Sequence, residues 1–185
     1  MSYIREIEES EATGDIARMY ERLRQQRGRV SNILKVHSLR PTALGHHLDL
    51  YMGLMFGPGS LARAQREMIA VVVSRSNRCD YCVSHHREAL ARYVSETTTL
   101  DAIQSDHQAA DVSPATHALL DYAQKLTRSP ESIGRGDIEK LRLHGFADED
   151  ILHANLIVAY FNFVNRIALG LGVQSSPEEV AGYKT

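Results

Sequence analysis

The sequence predicts an all-α protein that folds as one oligomeric helical bundle. Apolar residues recur at three- and four-residue spacing along most of the chain, and no run alternates apolar and polar residues as a half-buried strand would. Apolar residues make up 43% of the 185 residues, which is enough for one core. Residues 1–185 are therefore expected to form a single domain with its core at about 11–173. The N-terminal segment and a polar C-terminal tail are expected to be extensions of that core.

Helix signals in the first half of the chain predict five helices. Gly28 ends the first, Pro41 suits the first turn of the third, and Ser60 is a suitable N-cap for the fourth. The fourth carries the apolar run MIAVVV and is expected to be largely buried. Asn77 and Arg78 form a tight joint between the fourth and fifth. The expected helices cover residues 13–28, 32–38, 41–56, 61–76 and 79–93.

The second half of the chain predicts four more helices. Ser113 followed by Pro114 is a strong N-terminal signal. The last helix is long and mostly apolar, but it contains Asn162, Asn165 and Arg166. It is therefore expected to be a core or subunit-interface helix rather than a membrane span, with these polar residues in a buried network or at the interface. The expected helices cover residues 95–105, 113–129, 136–144 and 148–172.

Charge and hydropathy exclude several classes of function. The formal charge of −2 provides no global basic field for nucleic acid. The N-terminal MSYIREIEES lacks the basic and apolar regions of a signal peptide, and no apolar run reaches the roughly 18 residues of a membrane helix. We expect a cytoplasmic protein without nucleic-acid or membrane partners. In that compartment, closely spaced cysteines are more often catalytic or metal-binding than structural.

The chemistry is concentrated in the stretch RCDYCVSHH at residues 78–86, which holds both cysteines of the chain. On a helix, Cys82 lies about 60° from Cys79 and His86 lies within about 20° of it, whereas His85 points about 120° away. Cysteines three apart in a helical turn are close enough for a disulfide. The helix N-terminus lowers a cysteine pKa, and a histidine one turn later can accept the proton. The stripe therefore predicts a redox pair.

A carboxylate to orient this histidine is expected on the preceding helix. Glu67 lies on or beside the apolar stripe of that helix, which is unusual for a glutamate. A helical hairpin through the joint at Asn77 would bring it towards the first turns of the next helix. The alternative is an i,i+4 ion pair with Arg63 on a solvated face.

The spacing of these residues resembles a known signature. The pattern resembles the active-site signature of the alkyl hydroperoxidase D and carboxymuconolactone decarboxylase superfamily. It consists of Glu67, eleven residues, Cys79-x-x-Cys82, three residues and His86. The stretches EATG, GSL and FNFVNRIALGLGV further resemble its branch of peroxidase-related enzymes. The resemblance spans roughly residues 11–173.

The resemblance implies an all-α fold that assembles as trimers or hexamers and reduces small hydroperoxides. Carried over by position, Cys79 and Cys82 are the redox pair, and Glu67 and His86 are the proton relay. An external dithiol is implied as reductant, and in some relatives a lipoyl-bearing adaptor supplies the electrons; no bound cofactor or metal is implied. Some relatives have a histidine directly before the second cysteine, where this chain has Tyr81. The decarboxylase branch lacks the paired cysteines.

Three other hypotheses stay open at this point. Cys79, Cys82 and His86 could bind a metal with Glu67 or His85 as fourth ligand, which would make the protein a metal-binding or redox-sensing oligomer without turnover. The two cysteines could be merely buried small side chains. The chain could also be a superfamily enzyme that acts on a lactone or another non-peroxide substrate. His85 is expected at the surface or an interface, and His46 and His47 are expected to be exposed or hydrogen-bonded.

The leading hypothesis is a cytoplasmic thiol-dependent peroxidase. One thiolate attacks the peroxide and becomes a sulfenic acid, the second thiol condenses with it, and a dithiol resets the pair. Analogy with thioredoxin-type motifs favours the first cysteine, Cys79, as the attacking thiol, whereas the i,i+4 relation between Cys82 and His86 favours Cys82. We expect Cys82 to attack and Cys79 to resolve.

Overall fold

Local cap residues set the ends of several helices in the computed structural model, which describes residues 2–181. Ser113 Oγ accepts a hydrogen bond from the backbone N–H of Thr116, and Pro114 occupies the first turn that follows. Gly28 ends the first helix in the left-handed conformation, with a φ of 78°. The described residues form ten α-helices and no strand, which confirms the all-α prediction. The helices are α1 Gly14–Arg27, α2 Asn32–Lys35, α3 Pro41–Phe56, α4 Arg63–Ser76, α5 Asp80–Leu90, α6 Thr97–Ser105, α7 Pro114–Arg128, α8 Arg135–Leu143, α9 Asp148–Gly170 and α10 Pro177–Ala181.

The start of α4 differs from the prediction. Ser60 is not its N-cap, because the helix begins at Arg63 after Ala62, whose N–H donates to the side-chain oxygen of Gln65 at 3.0 Å. The Ser60 hydroxyl instead donates to Asp150 in the first turn of α9. The buried side chain of Leu61 explains the shift, because an extended residue before the helix lets Leu61 enter the core.

Helix α4 lies at the centre of the bundle. It packs against α5, α7 and α9, with α3 and α6 completing its surroundings. Its run Met68–Val73 is buried throughout, as the continuous apolar stretch predicts. A smaller apolar cluster joins α1 to α3 through Ile16, Tyr20, Leu23, Leu44 and Leu48. The short joint after α4 makes α4 and α5 a hairpin, so residues in the first half of α4 face the later turns of α5.

Both segments outside residues 11–173 pack on this bundle. Near the N-terminus, the Ile7 N–H donates to Ser38 Oγ at 2.9 Å and the Tyr20 hydroxyl donates to the Ile7 carbonyl at 2.7 Å. At the other end, α10 contacts α5, and its Glu179 is buried. Residues 182–185 of the expected tail lie outside the described residues. None of the described helices is long and apolar enough to cross a bilayer.

Candidate active site

The joint between α4 and α5 fixes the start of the cysteine motif. The Cys79 N–H donates to the Ser74 carbonyl at 2.9 Å, and Arg78 adopts a left-handed conformation with a φ of 59°. The Asn77 amide donates to the side-chain oxygens of Asn162 and Asn165 on α9, at 3.0 and 2.9 Å. These bonds place two of the three predicted polar residues of α9 in a partly buried network that holds the joint. The third, Arg166, is exposed and donates to Asn162 at 2.8 and 3.0 Å.

The two cysteine sulfurs lie side by side and are not disulfide-bonded. Cys79 is the N-cap residue of α5 and Cys82 is in its first turn, and their Sγ atoms are 3.1 Å apart. Both side chains are buried. The hairpin thus holds a dithiol with its sulfurs in hydrogen-bond contact, as the helical stripe predicted.

The shared hydrogen bond splits the acidities of the two thiols. It lowers the pKa of Cys79, and burial only partly opposes this effect. The same contact raises the pKa of Cys82 well above its usual value, and burial adds to the rise. A hydrogen bond from Asn165 acts in the opposite direction on the pKa of Cys82. The pair therefore loses its first proton readily and holds its second.

Glu67 is fully buried and has two partners. Its Oε2 lies 2.6 Å from Nδ1 of His86, and its Oε1 lies 2.6 Å from the guanidinium of Arg63. The expected contact with His86 therefore forms, and the ion pair with Arg63 forms too, but not on a solvated face, because Glu67 is fully buried. Because a carboxylate only accepts, His86 Nδ1 donates and Nε2, on the other side of the ring, is left as the basic nitrogen. The His86 ring packs edge-on against Phe161, 4.5 Å between centroids.

A narrow cavity of about 40 Å³ adjoins Cys82 and His86. Its opposite wall contains Arg27, His47 and Tyr160. The Arg27 guanidinium lies over the ring of Tyr51, 5.2 Å from its centroid. Cys79 does not line this cavity, so Cys82 is the cysteine that faces it.

A chain of hydrogen bonds runs back from this wall. Tyr160 is 2.7 Å from Nε2 of His47, and Nδ1 of His47 is 3.2 Å from Nε2 of His37. His37 Nδ1 is 2.9 Å from the Ile33 carbonyl, so it must donate there. Burial lowers the pKa of His47 to about 3, so its ring is neutral. Consistent tautomers make His47 donate to His37 and accept from the Tyr160 hydroxyl, which leaves the Tyr160 oxygen as an acceptor.

The tyrosine that replaces the histidine of some relatives joins a third polar group. The Tyr81 hydroxyl donates to Oε1 of Glu179 at 2.6 Å and accepts from the Ile33 N–H at 3.1 Å. His85 Nδ1 donates to the Tyr81 carbonyl at 2.7 Å, and its Nε2 lies 3.6 Å from Glu179. The expectation that His85 lies at the surface or an interface is therefore wrong, because α10 of the same chain covers it and only 2% of the residue is exposed.

The structure brings all four predicted site residues together: Glu67, Cys79, Cys82 and His86. His46 is exposed and His47 is hydrogen-bonded, as expected. The sequence did not indicate that Tyr160 and Glu179 would join the site. Asparagine on an apolar helix was the one signal that pointed to Asn165. Within residues 2–181, no group of three or more His, Cys, Asp or Glu side chains is arranged to hold a metal ion.

Comparisons with known proteins agree with this geometry. The carboxymuconolactone decarboxylase family profile matches residues 41–125, which include the four site residues. A peroxidase-related protein from Ralstonia eutropha JMP134, described as an alkylhydroperoxidase AhpD core, is 30% identical with a TM-score of 0.87, covering 97% of this chain and 94% of that one. A peroxidase-related protein from Silicibacter sp. TM1040 is 29% identical with a TM-score of 0.88, covering 98% of this chain and 95% of that one.

The chain also resembles a bacterial protein at the level of sequence. YdfG of Bacillus subtilis (strain 168) is 27% identical over 115 residues, which is 61% of this chain and 77% of that protein. The family profile, the two structures that match nearly the whole chain and the shared all-α fold all lead to one conclusion. The chain belongs to the alkyl hydroperoxidase D-like and carboxymuconolactone decarboxylase superfamily.

Proposed function

We propose that the protein is a thiol-dependent peroxidase that reduces small hydroperoxides. The observation that carries the proposal is the pair of sulfurs 3.1 Å apart beside a cavity that His86 also lines, with His86 held by a fully buried Glu67 at 2.6 Å. A dithiol, a base and an enclosed space for the oxidant are what peroxide reduction by cysteine requires. We propose the cytoplasm as the protein's compartment, because closely spaced cysteines there are more often catalytic or metal-binding than structural.

Cys82 is the attacking residue in this proposal because it is the cysteine that lines the cavity. Cys79 has the lowered pKa, so it is the first of the two thiols to lose its proton. A proton then passes from the Cys82 thiol to the Cys79 thiolate across the 3.1 Å contact, which leaves the negative charge on Cys82. The Asn165 hydrogen bond stabilises that charge. His86 Nε2 exchanges the proton with the reacting oxygen, while Glu67 stabilises the imidazolium that forms.

The proposed reaction has three steps. The Cys82 thiolate attacks the peroxide oxygen, the O–O bond breaks, and an alcohol leaves after taking a proton. The sulfenic acid formed on Cys82 condenses with the Cys79 thiol, which gives a disulfide and water. An external dithiol, for which a lipoyl group is one candidate, then exchanges with the disulfide and restores both thiols while it becomes oxidised itself.

Cysteine variants test the proposal. We expect the protein to consume cumene hydroperoxide with dithiothreitol as reductant, and one equivalent of peroxide to reduce the thiol count from two to none, reversibly. Cys82→Ser and Cys79→Ser should each lose turnover, whereas Thr98→Ser, at an exposed position, should not. If only Cys82 attacks, the Cys79→Ser protein still forms a sulfenic acid that dimedone traps. Unchanged turnover in both cysteine variants would falsify the proposal.

The cysteine variants and a metal analysis separate the proposal from its two rival functions. A superfamily enzyme with a lactone or similar substrate predicts dispensable cysteines and an essential His86. A metal-binding or redox-sensing oligomer predicts a metal that blocks thiol titration in the untagged protein. Metal analysis before the thiol count distinguishes this case.

We further propose that the chain forms a homo-oligomer, a trimer or hexamer, through the outer face of α9. Five of the exposed residues of this helix recur at alternating four- and three-residue spacing: Leu152, Leu156, Ala159, Phe163 and Arg166. That is the spacing of a helix that packs knobs into holes against another helix. The first four of these residues are apolar. Phe163 is half exposed and also contacts His47 in the cavity wall, with ring centroids 5.7 Å apart.

A further inference from the structure

A second and larger concavity lies on the other side of the α4–α5 joint. Its volume is about 530 Å³, within the range of small-molecule sites. The C-terminal end of α4, the joint itself, the start of α5, the end of α6 and the end of α7 form its walls. Its lining is mostly polar, with Gln104, Ser105, His107 and Gln124 among the side chains. None of the four proposed redox and relay residues lines it.

Three arginines converge on this concavity without carboxylate partners. Arg75 comes from α4, Arg78 from the joint and Arg128 from the last turn of α7. Among the described residues, none of the three guanidinium groups has a carboxylate oxygen within 4.0 Å, although arginines elsewhere, such as Arg87 and Arg142, are paired. Asp80 is the one carboxylate in the lining. The three arginines and Asp80 together give the lining an excess of two positive charges.

The start of α5 adds to the positive potential. Its first-turn N–H groups point towards the joint, and a helix N-terminus favours an anion through its unpaired donors and its dipole. The negative charge of Asp80 offsets part of this positive potential, but the positive charge of the three arginines still exceeds it. Like charges held together on the walls of a cleft focus the field and attract a ligand of opposite sign.

We propose that this arginine cleft, defined by Arg75, Arg78, Arg128 and the polar residues around them, binds a small molecule that carries a phosphate group. The planar guanidinium fork matches phosphate oxygens in a bidentate manner, and three of them suit a dianion better than a single carboxylate. The amides and hydroxyls of the lining suit the rest of such a molecule. A concave site of this size fits a small molecule rather than an extended nucleic acid.

Occupancy of the cleft has a consequence for the redox pair. Arg78 and Asp80, which line the cleft, flank Cys79 in the chain. A phosphate bound there places negative charge near Cys79 and therefore raises the pKa of its thiol. This consequence rests on chain neighbours of Cys79 and holds whether or not the protein turns over peroxide.

Calorimetric titration tests the binding site directly. We expect pyrophosphate and adenosine monophosphate to bind at one site per chain at low ionic strength, while sodium chloride at matched ionic strength gives no such isotherm. Arg75→Gln and Arg128→Gln should each weaken binding about 10-fold or more, because each removes a charge-assisted hydrogen bond. Arg18→Gln, on the far helix α1, is the matched exposed control and should bind as the unaltered protein does.

A second measurement follows the thiolate. Absorbance at 240 nm should show the first cysteine of the pair titrating at higher pH when pyrophosphate is present than when it is absent. Absence of binding to the unaltered protein, or equal binding by the two cleft variants and the control, overturns the proposal. Both measurements are independent of peroxidase turnover, so a failure here is distinguishable from a failure of the proposed function.

Discussion

Glu67 combines a local contact with a distant one. Arg63, four residues earlier on the same helix, binds one carboxylate oxygen, and His86, nineteen residues later, binds the other. A buried carboxylate is costly unless its charge is paired, and here Arg63 pairs with the charge at Oε1 while His86 hydrogen-bonds Oε2. The arginine also fixes the carboxylate, so that the His86 ring has one tautomer and one orientation.

Replacement of this carboxylate should reduce the chemistry more than the fold. We expect Glu67→Gln to lower peroxide consumption by roughly 100-fold or more, which is the range of a lost acid–base contribution. The amide still accepts a hydrogen bond but no longer stabilises a charged His86. Steady-state turnover with dithiothreitol measures this effect, and circular dichroism checks that the helices persist.

Glu149→Gln, at an exposed position of α9, is the control for the loss of one carboxylate. A folded Glu67→Gln protein with turnover within twofold of the control would show that the buried glutamate has no part in the reaction.

Short α10 acts as a closing element through one side chain. Glu179 accepts from the Asn32 backbone N–H at 2.8 Å and from the Asn32 amide at 2.7 Å, besides its bond with Tyr81. Five helical residues have little stability of their own, so these contacts hold the segment against the bundle. The segment thereby covers His85 and holds Tyr81, which forms part of the cavity wall.

This docking should depend on pH. Burial raises the pKa of Glu179, but the nearby His85 ring and the hydrogen bonds from Tyr81 and Asn32 outweigh it and hold the pKa below the usual 4.5. A lowered folded-state pKa contributes stability above the unfolded value, and that stability is lost as the pH falls through the folded value. We therefore expect α10 to detach below about pH 4.5 while the bundle persists.

Hydrogen exchange of residues 177–181 between pH 7 and pH 3 measures the detachment after correction for intrinsic rates. Glu179→Gln should show the detached behaviour already at pH 7, whereas Glu178→Gln, whose side chain is exposed, should behave as the unaltered protein does. Equal protection of α10 at both pH values would contradict the role given to Glu179.

Across the whole molecule, α9 connects the site to the outer surface. Its inner face supplies Asn165 to the cysteines and Tyr160 to the cavity, and its outer face presents Leu156 and Phe163 to solvent. A second copy of the chain packed on the outer face of α9 would also stabilise the inner face, because both faces belong to one rigid helix. Assembly and site are expected to be coupled in this way.

A charge on the outer face should therefore dissociate the oligomer. We expect Phe163→Glu and Leu156→Glu to convert a trimer or hexamer into monomers in light scattering after gel filtration, because a buried unpaired carboxylate disfavours the interface. Leu143→Glu is the control, since Leu143 is 88% exposed but lies on α8, outside the face. Dissociation by the control alone, or an unchanged mass in both α9 variants, would contradict this interface.

The sequence by itself determined nine of the ten described helices, all but α10, and the stripe of Cys79, Cys82 and His86. For Glu67 it left two candidate partners, His86 across the hairpin and Arg63 on the same helix. These features follow from contacts between neighbours on one helix or across one short hairpin, where spacing along the chain fixes spacing in space. It also indicated that asparagines on an apolar helix need partners. Here the partners are Asn77 and Ser74 at the joint.

Only the tertiary structure decided what surrounds that stripe. Tyr160 and His47 are 113 positions apart, and Glu179 and Tyr81 are 98 apart. Whether such residues meet depends on how α3, α5, α9 and α10 pack, and that packing is set by the shapes of many buried side chains at once. Local periodicity carries no information about these pairs, which is why the cavity wall and the burial of His85 could not be predicted from the sequence.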